Sequence, residues 1–298
     1  MNVYVDHNFL IDCVKNPEWR KTVIGAHHAG AVSIVMSPWH FYEYGNARAY
    51  TDTEDLILFA EEMQPKWTME RADLQLFEFW IVWNQIWHSS TDTVEPVGTF
   101  AEIVAVLSKV HYMQTEKLTM RDYVTAFSGD KALEEIQAAM EEQANVAASN
   151  LKAYVEGRFV TSIRQRIELG HLAAMRARLE MKGATPQRVY DYANALLTEQ
   201  PITTQLECFI FWGCMRYLKC YQVEAAFTGE LYTTGGKLSP NRFVDRQHAS
   251  IALPYCDRFI TSDEKLLKSC IRVKAKLPFT TAEVISGNEF IYSLQSKP

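Results

Sequence analysis

The stretch Val3-Tyr4-Val5-Asp6-His7-Asn8-Phe9-Leu10-Ile11 decides how the rest of the chain is read. A short apolar run ends in an aspartate, and a helical pattern starts straight after it. Two distant stretches answer it: Asp245-Arg246-Gln247-His248-Ala249-Ser250-Ile251-Ala252 and Arg258-Phe259-Ile260-Thr261-Ser262-Asp263. The latter is again a strand that ends beside an acid. In the former, Asp245 is expected to begin the helix that precedes this strand. Glu43 holds a comparable position soon after the apolar run 31–36. Acids at the carboxyl ends of parallel strands mark the crevice where an open α/β sheet places its chemistry.

Outward from these stretches, strands and helices alternate. Residues 3–5 read as a buried strand and 8–14 as a helix. Pro17 opens a second helix that runs to 28 and stops at Gly30. Residues 31–36 form the second strand. Ser37-Pro38 then supplies a cap and a proline at the first helical position of the helix holding Glu43. A helix over 52–63, a short strand at 67–69 and a helix over 71–88 follow. On the last, Trp80, Trp83 and Trp87 make a stripe, with Phe77 and Phe79 nearby, that reads as core packing. This alternation predicts a mostly parallel sheet.

From 99 to 227 the strand pattern disappears. Gly129, Gly157, Gly170, Gly183, Pro186 and Pro201 divide the span into several helices, and 130–148 is a strong helix former. Phe209, Phe211, Trp212, Tyr217 and Tyr221 are expected to pack in a core. Residues 228–241, rich in Gly, Thr and Ser, read as a loop, including the glycine-rich Thr233-Thr234-Gly235-Gly236-Lys237. The sheet pattern then returns: helix 246–255, strand 259–261, helix 263–270 and a strand at 283–286. The expected plan is an α/β domain made of 1–98 and 228–298, interrupted by an all-helical insertion over 99–227.

Composition narrows the function classes. The 298 residues are 48% hydrophobic and 12% aromatic, enough core for one large or two ordinary domains. No apolar run is long enough for a membrane span. The N-terminus lacks the basic and apolar regions of a secretion signal, so a cytoplasmic location is expected. Cys13, Cys208, Cys214, Cys220, Cys256 and Cys270 show neither Cys-x-x-Cys pairs nor zinc spacing, and read as reduced core thiols. The net charge of −6 is not that of a globally basic nucleic-acid binder. Basic residues are concentrated, however: eight Lys/Arg against three acids over 152–188, and five against none over 265–276. Each run reads on its own as a solvated helix face.

Four elements now stand in order: strand-Asp6-x-Asn8, Ser37-Pro-Trp-His-Phe-Tyr-Glu43, Asp245-x-x-His-Ala-Ser, and strand-Thr261-Ser262-Asp263. Together they resemble the PIN domain family, metal-dependent nucleases with a small three-layer α/β/α fold. The resemblance covers about 1–90 and 228–298 and leaves the helical middle without a counterpart. It implies a PIN-like three-layer fold around a mostly parallel sheet, with Asp6, Glu43, Asp245 and Asp263 as the catalytic, metal-holding carboxylates. Asp6, Asp245 and Asp263 would bind the ion directly or through water, and Glu43 would hold a water on it or a second ion. Asn8 would hold Asp6 or a water in place by a hydrogen bond, and Thr261 and Ser262 would support a carboxylate or phosphate.

The chemistry agrees with this donor set. Phosphodiester hydrolysis needs charge neutralised on the attacking and leaving oxygens, which Mg²⁺ or Mn²⁺ provides. Hard cations of this kind take carboxylate oxygens. Other phosphate chemistries fit less well: Asp6-His7-Asn8 is not the Asp-x-Asp of a haloacid-dehalogenase-like phosphatase, and no P-loop is present. Asp257 reads as a strand-entry residue paired with Arg258, and His248 as a core or supporting group. The expected function is a Mg²⁺- or Mn²⁺-dependent nuclease acting on single-stranded or structured RNA more than on DNA. A silent PIN-like scaffold and a toxin of a toxin–antitoxin pair are the alternatives. The insertion is a candidate surface for a protein partner or a second copy.

Overall fold

The computed structural model describes residues 1–46, 53–69, 97–102, 119–128, 217–234 and 239–296, and single positions at 71, 74, 78, 81, 91, 134 and 138. The Trp80/Trp83/Trp87 stripe and the basic stretch 152–188 lie outside the described residues, as do Cys208, Cys214 and almost all of the insertion with its expected partner surface.

Six strands form one sheet among these residues. They are β1 (Asn2–Val5), β2 (Ser33–Met36), β3 (Lys66–Thr68), β4 (Val97–Gly98), β5 (Arg258–Thr261) and β6 (Glu283–Ser286). Their order is β4-β3-β2-β1-β5-β6, and every pairing is parallel except β3 with β4. The chain builds outward from β1 through β2 and β3, then returns to β5 on the other side of β1. The order therefore reverses between β1 and β5, the kind of switch point where such sheets leave a crevice.

Helices cover both faces. The alternation of β1 decides which side chain faces which layer: Val3 and Val5 enter one core, and Tyr4 enters the other. The first core also takes α1 (His7–Lys15), α2 (Pro17–His28), α3 (Trp39–Asn46), α4 (Thr53–Met63) and α5 (Met120–Ser128). There Phe41 stacks on Trp67 at 4.8 Å and on Tyr123 at 5.4 Å. The second core takes α6 (Lys219–Thr234), α7 (Pro240–Tyr255) and α8 (Glu264–Lys274). The C-terminal α9 (Gly287–Gln295), which the sequence reading does not anticipate, closes the first core with Phe290 and Ile291. A capping box between Ser286 and Glu289 starts it. No helix among the described residues is long and apolar enough to cross a membrane.

Several expectations are corrected. The loop expected over 228–241 is largely helix, since α6 runs to Thr234 and α7 begins at Pro240. Burial of Cys220, Val223 and Phe227 against α7 and α8 outweighs the weak helix propensity of its Thr and Gly residues. Ser239-Pro240 is the real start of α7, with Ser239 Oγ accepting from Arg242 N–H at 3.3 Å. Asp245 therefore lies inside this helix and is not its cap. Ser37 Oγ turns to the Tyr4 hydroxyl at 2.6 Å, and α3 begins at Trp39. Tyr217 is 63% exposed, because it precedes the first turn of α6, whereas Tyr221 is buried as expected. Asp257 does serve strand entry, accepting from Asn2 N–H at 2.6 Å, but Arg258 pairs with Glu283 at 2.7 Å instead. Cys13, Cys220, Cys256 and Cys270 are free and buried.

Gly287 lets α9 approach the sheet closely. A Cβ built there would lie 2.7 Å from the fully buried Phe9 ring and 3.0 Å from Ser262 Oγ. Gly287→Ala is expected to cost about 1–3 kcal/mol by overpacking. Urea unfolding would show it, and a wild-type midpoint would contradict the close approach.

Candidate active site

Parallel pairing brings the ends of β2, β1 and β5 to one edge of the sheet. The β1–β5 ladder extends one step beyond the strand, with Asp6 N–H donating to Ile260 O at 2.9 Å. This bond pins Asp6 to the last rung. Asp6 also caps α1, its Oδ1 accepting from Phe9 N–H at 2.9 Å. Its Oδ2 accepts from Thr261 Oγ1 at 2.5 Å. Thr261 Oγ1 in turn accepts from Asp263 N–H at 3.0 Å, tying the ends of β1 and β5 together. Asp263 caps α8 through Oδ1, which accepts from Lys265 N–H at 2.6 Å and Leu266 N–H at 3.0 Å. Each cap contributes about 1 kcal/mol. A capping carboxylate keeps further lone pairs, so capping and ligation are compatible.

Asn8 is exposed, and it lines a 340 Å³ cleft with Ser262 and Asp263. The expected Asn8–Asp6 hydrogen bond is not formed among the described residues. Thr261 and the Phe9 amide hold Asp6 instead.

Glu43 projects from α3, and its Oε2 meets His248 Nε2 of α7 at 2.7 Å. His248 Nδ1 lies 2.6 Å from the Tyr4 hydroxyl, which lies 2.6 Å from Ser37 Oγ. With Glu43 ionised, the bonds can run in one direction only. Nε2–H donates to the carboxylate, Tyr4 O–H donates to Nδ1, and Ser37 O–H donates to the Tyr4 oxygen. His40 buttresses the imidazole, with ring centroids 4.7 Å apart. Its own Nε2–H donates to Val5 O at 2.9 Å, which leaves Nδ1 to accept from Ser37 N–H at 3.0 Å. His7 packs on Tyr44, and its charge would favour ionised Glu43. Sequence reading gives His248 a supporting place and misses His7, His40 and Tyr4, because nothing in their spacing shows that the sheet gathers them around Glu43. His248→Phe keeps the ring volume and removes both bonds. On the nuclease expectation drawn from the sequence, it lowers metal-dependent cleavage about 10–100-fold, as loss of such orienting partners does. Unchanged turnover in a folded His248→Phe protein would remove the histidine from the site.

Electrostatics joins the four acids. Burial pushes Asp245 up to about 8, and Glu43, Asp263 and Asp6 push in the same direction, against Arg242. Burial also raises Asp6 to about 7, opposed by the Thr261 and Phe9 hydrogen bonds and reinforced by Glu43. Glu43 rises to about 7 through burial, with His7 opposing. Burial is the largest cause at each acid, and repulsion between carboxylates adds to it at Asp245 and Asp6. Among the described residues, no group of three or more His, Cys, Asp or Glu side chains is placed to hold a metal ion by itself. Mg²⁺ does not require one, since it keeps several waters and binds through one or two carboxylates plus substrate phosphates. The donor chemistry of Asp6, Glu43, Asp245 and Asp263 fits such an ion.

The shifts predict a pH dependence. Burial holds His7 near 4 and His40 and His248 near 3, below their ordinary 6.5. These histidines add stability as pH rises to about 6.5, while the raised acids remove it over the same range. Above about 6.5 only the acids still titrate, and Glu78, raised to about 8 by burial, joins them. A raised acid binds more protons folded than unfolded, so stability falls as pH rises through its folded value. Without metal, the melting temperature is expected to fall between about pH 6.5 and 8, and Mn²⁺ is expected to restore it. A flat profile over that window would remove the case for a self-repelling cluster.

No family model, curated protein or solved structure matches this chain.

Proposed function

We propose that the chain is a PIN-like, Mg²⁺- or Mn²⁺-dependent nuclease that hydrolyses phosphodiester bonds, in RNA by preference. The observation that carries this reading is the charge of Glu43, Asp263 and Asp6 acting on Asp245, with Asp6 and Asp263 at the ends of the neighbouring strands β1 and β5. The preference for RNA follows the resemblance of the four acid elements to that family. A bound divalent ion supplies charge neutralisation at the phosphate and acidifies its water. Asp6 and Asp263 would present carboxylate oxygens from the ends of β1 and β5, held rigid by Thr261. Asp245 would close the site from α7. Glu43, oriented by His248, would accept a proton from the attacking water. A rigid constellation of this kind favours hydrolysis because the acids need not reorganise as charge develops.

The test is cleavage of labelled single-stranded RNA and DNA with Mg²⁺, Mn²⁺ or a chelator, monitored beside thermal unfolding. The reading requires metal-dependent cleavage and a metal-dependent rise in melting temperature. If neither occurs in wild-type protein, the nuclease reading fails and a non-hydrolytic binding module replaces it.

A further inference from the structure

Beside the acid site the charge reverses. A cleft of 350 Å³ opens between α6, α7 and α8. Five of its lining side chains are cationic: Arg242 and Arg246 from α7, and Lys265, Lys268 and Arg272 from α8. Its carboxylates are Glu230 and Asp245, so the lining carries five positive groups against two negative ones, in a chain of net charge −6. Asp245 belongs to both places, as a cleft wall and as a member of the acid cluster. The spacing explains the concentration. Lys265, Lys268 and Arg272 fall at i, i+3 and i+7 and share one face of α8, while Arg242 and Arg246 share one face of α7. Three cations of the basic run at 265–276, which reads as an ordinary solvated face in the sequence, line this cleft together with Asp245.

The cations differ in how they are held. Arg272 bonds Glu230, and Arg246 bonds Thr228 and lies 3.7 Å from Glu224. Arg246 is thereby held in the cleft's buried part, while the Arg272 side chain stays 57% exposed. Lys268 pairs with exposed Glu264 at 3.2 Å, a contact that solvent weakens. No carboxylate among the described residues stands within 4.0 Å of the Lys265 ammonium. Both lysines are exposed at the mouth. The volume lies at the low end of the roughly 300–1,000 Å³ typical of ligand clefts. That suits a nucleotide-sized part of one strand.

We infer that this cleft binds the sugar-phosphate backbone of a single-stranded nucleic acid on one side of the bond to be cut, with Lys265 and Lys268 as phosphate contacts. The inference rests on the nuclease reading for its class of ligand, but binding is measured separately from cleavage. The positive lining would offset the repulsion a polyanion meets at a carboxylate cluster and hand the strand to Asp245.

The test is fluorescence anisotropy of a labelled single-stranded oligonucleotide, as RNA and as DNA, without divalent metal and over a range of salt concentrations. A duplex of the same sequence is the comparison. Each phosphate contact contributes about 0.7 to the slope of log K against log salt for a single strand. Lys265→Gln/Lys268→Gln, with a wild-type melting curve, is expected to lower that slope by about 1.4 and to weaken binding severalfold at low salt. An unchanged slope and affinity would overturn the cleft, as would tighter binding of the duplex or no binding by wild-type protein. Cleavage with the cleft variant still binding normally leaves the nuclease and removes the cleft. Cleft-dependent binding with no cleavage in Mg²⁺ or Mn²⁺ does the reverse.

Discussion

Asp245→Asn is expected to remove Mg²⁺- or Mn²⁺-dependent cleavage and to stabilise the metal-free protein at alkaline pH. Asp245 is the better probe of the cluster because it carries no cap. It lies inside α7, whereas Asp6 caps α1 and accepts from Thr261, and Asp263 caps α8. An amide at Asp6 or Asp263 therefore mixes loss of charge with disturbed hydrogen bonds. At Asp245 the amide removes a buried charge that Glu43, Asp263 and Asp6 all repel. The gain in the metal-free protein is expected to be on the order of 1 kcal/mol or more near pH 8 and to fade as pH falls. Activity should fall by more than about 10²-fold, since loss of groups that only orient a metal's ligands already costs about 10–100-fold. Kinetics and differential scanning fluorimetry at two pH values separate the effects. A variant that still cuts at the wild-type rate takes Asp245 out of the site. One that cuts nothing and is also less stable at every pH makes it structural.

Arg71→Met is expected to destabilise the fold by about 3–5 kcal/mol, a large part of the 5–15 kcal/mol typical of a folded protein. Arg71 forms a buried ion pair with Glu224, whose side chain is 4% exposed, and its Nε donates to Gln247. The pair ties position 71 to α6 and α7. Removing the guanidinium takes this ion pair from the desolvated Glu224, from which Arg246 lies 3.7 Å away. The cost lies in the stranded charge more than in the loss of attraction, so Arg71→Met/Glu224→Leu should recover most of the stability. Urea unfolding with a constant m-value would show both effects. A single variant that loses under about 1 kcal/mol would mean that water reaches Glu224.

Much of the plan is legible in the sequence because it is local. β1, β2 and β5 are short apolar runs, and their bounding acids are helix caps or stand one turn into a helix, so Asp6, Glu43 and Asp263 are found from neighbouring residues alone. Pro17, after Asn16, marks a helix start by the same chemistry. Local chemistry is ambiguous where packing decides. Residues 228–234 have loop composition but become helix because Phe227 and Val223 are buried against α7 and α8. That extension, with the Ser239-Pro240 start of α7, moved Asp245 from a cap to a helix interior facing the acids.

What only the tertiary structure decided is which distant groups share a site. The Tyr4–His248 bond joins residues 244 apart and the His248–Glu43 bond residues 205 apart, and no sequence period encodes either. Likewise, the basic run of α8 is a solvated face until the return of the chain to β5 sets α8 against α7 and gives its lysines a common cleft with Asp245. The sequence by itself determined β1, β2, β3, β5 and β6, the acids at the strand ends and the kinds of donor, because those depend on backbone geometry and side-chain chemistry within a turn or two. Burial, charge coupling and the direction of each hydrogen bond depend on what the folded chain places within a few ångströms, and the crossover between β1 and β5 determined these.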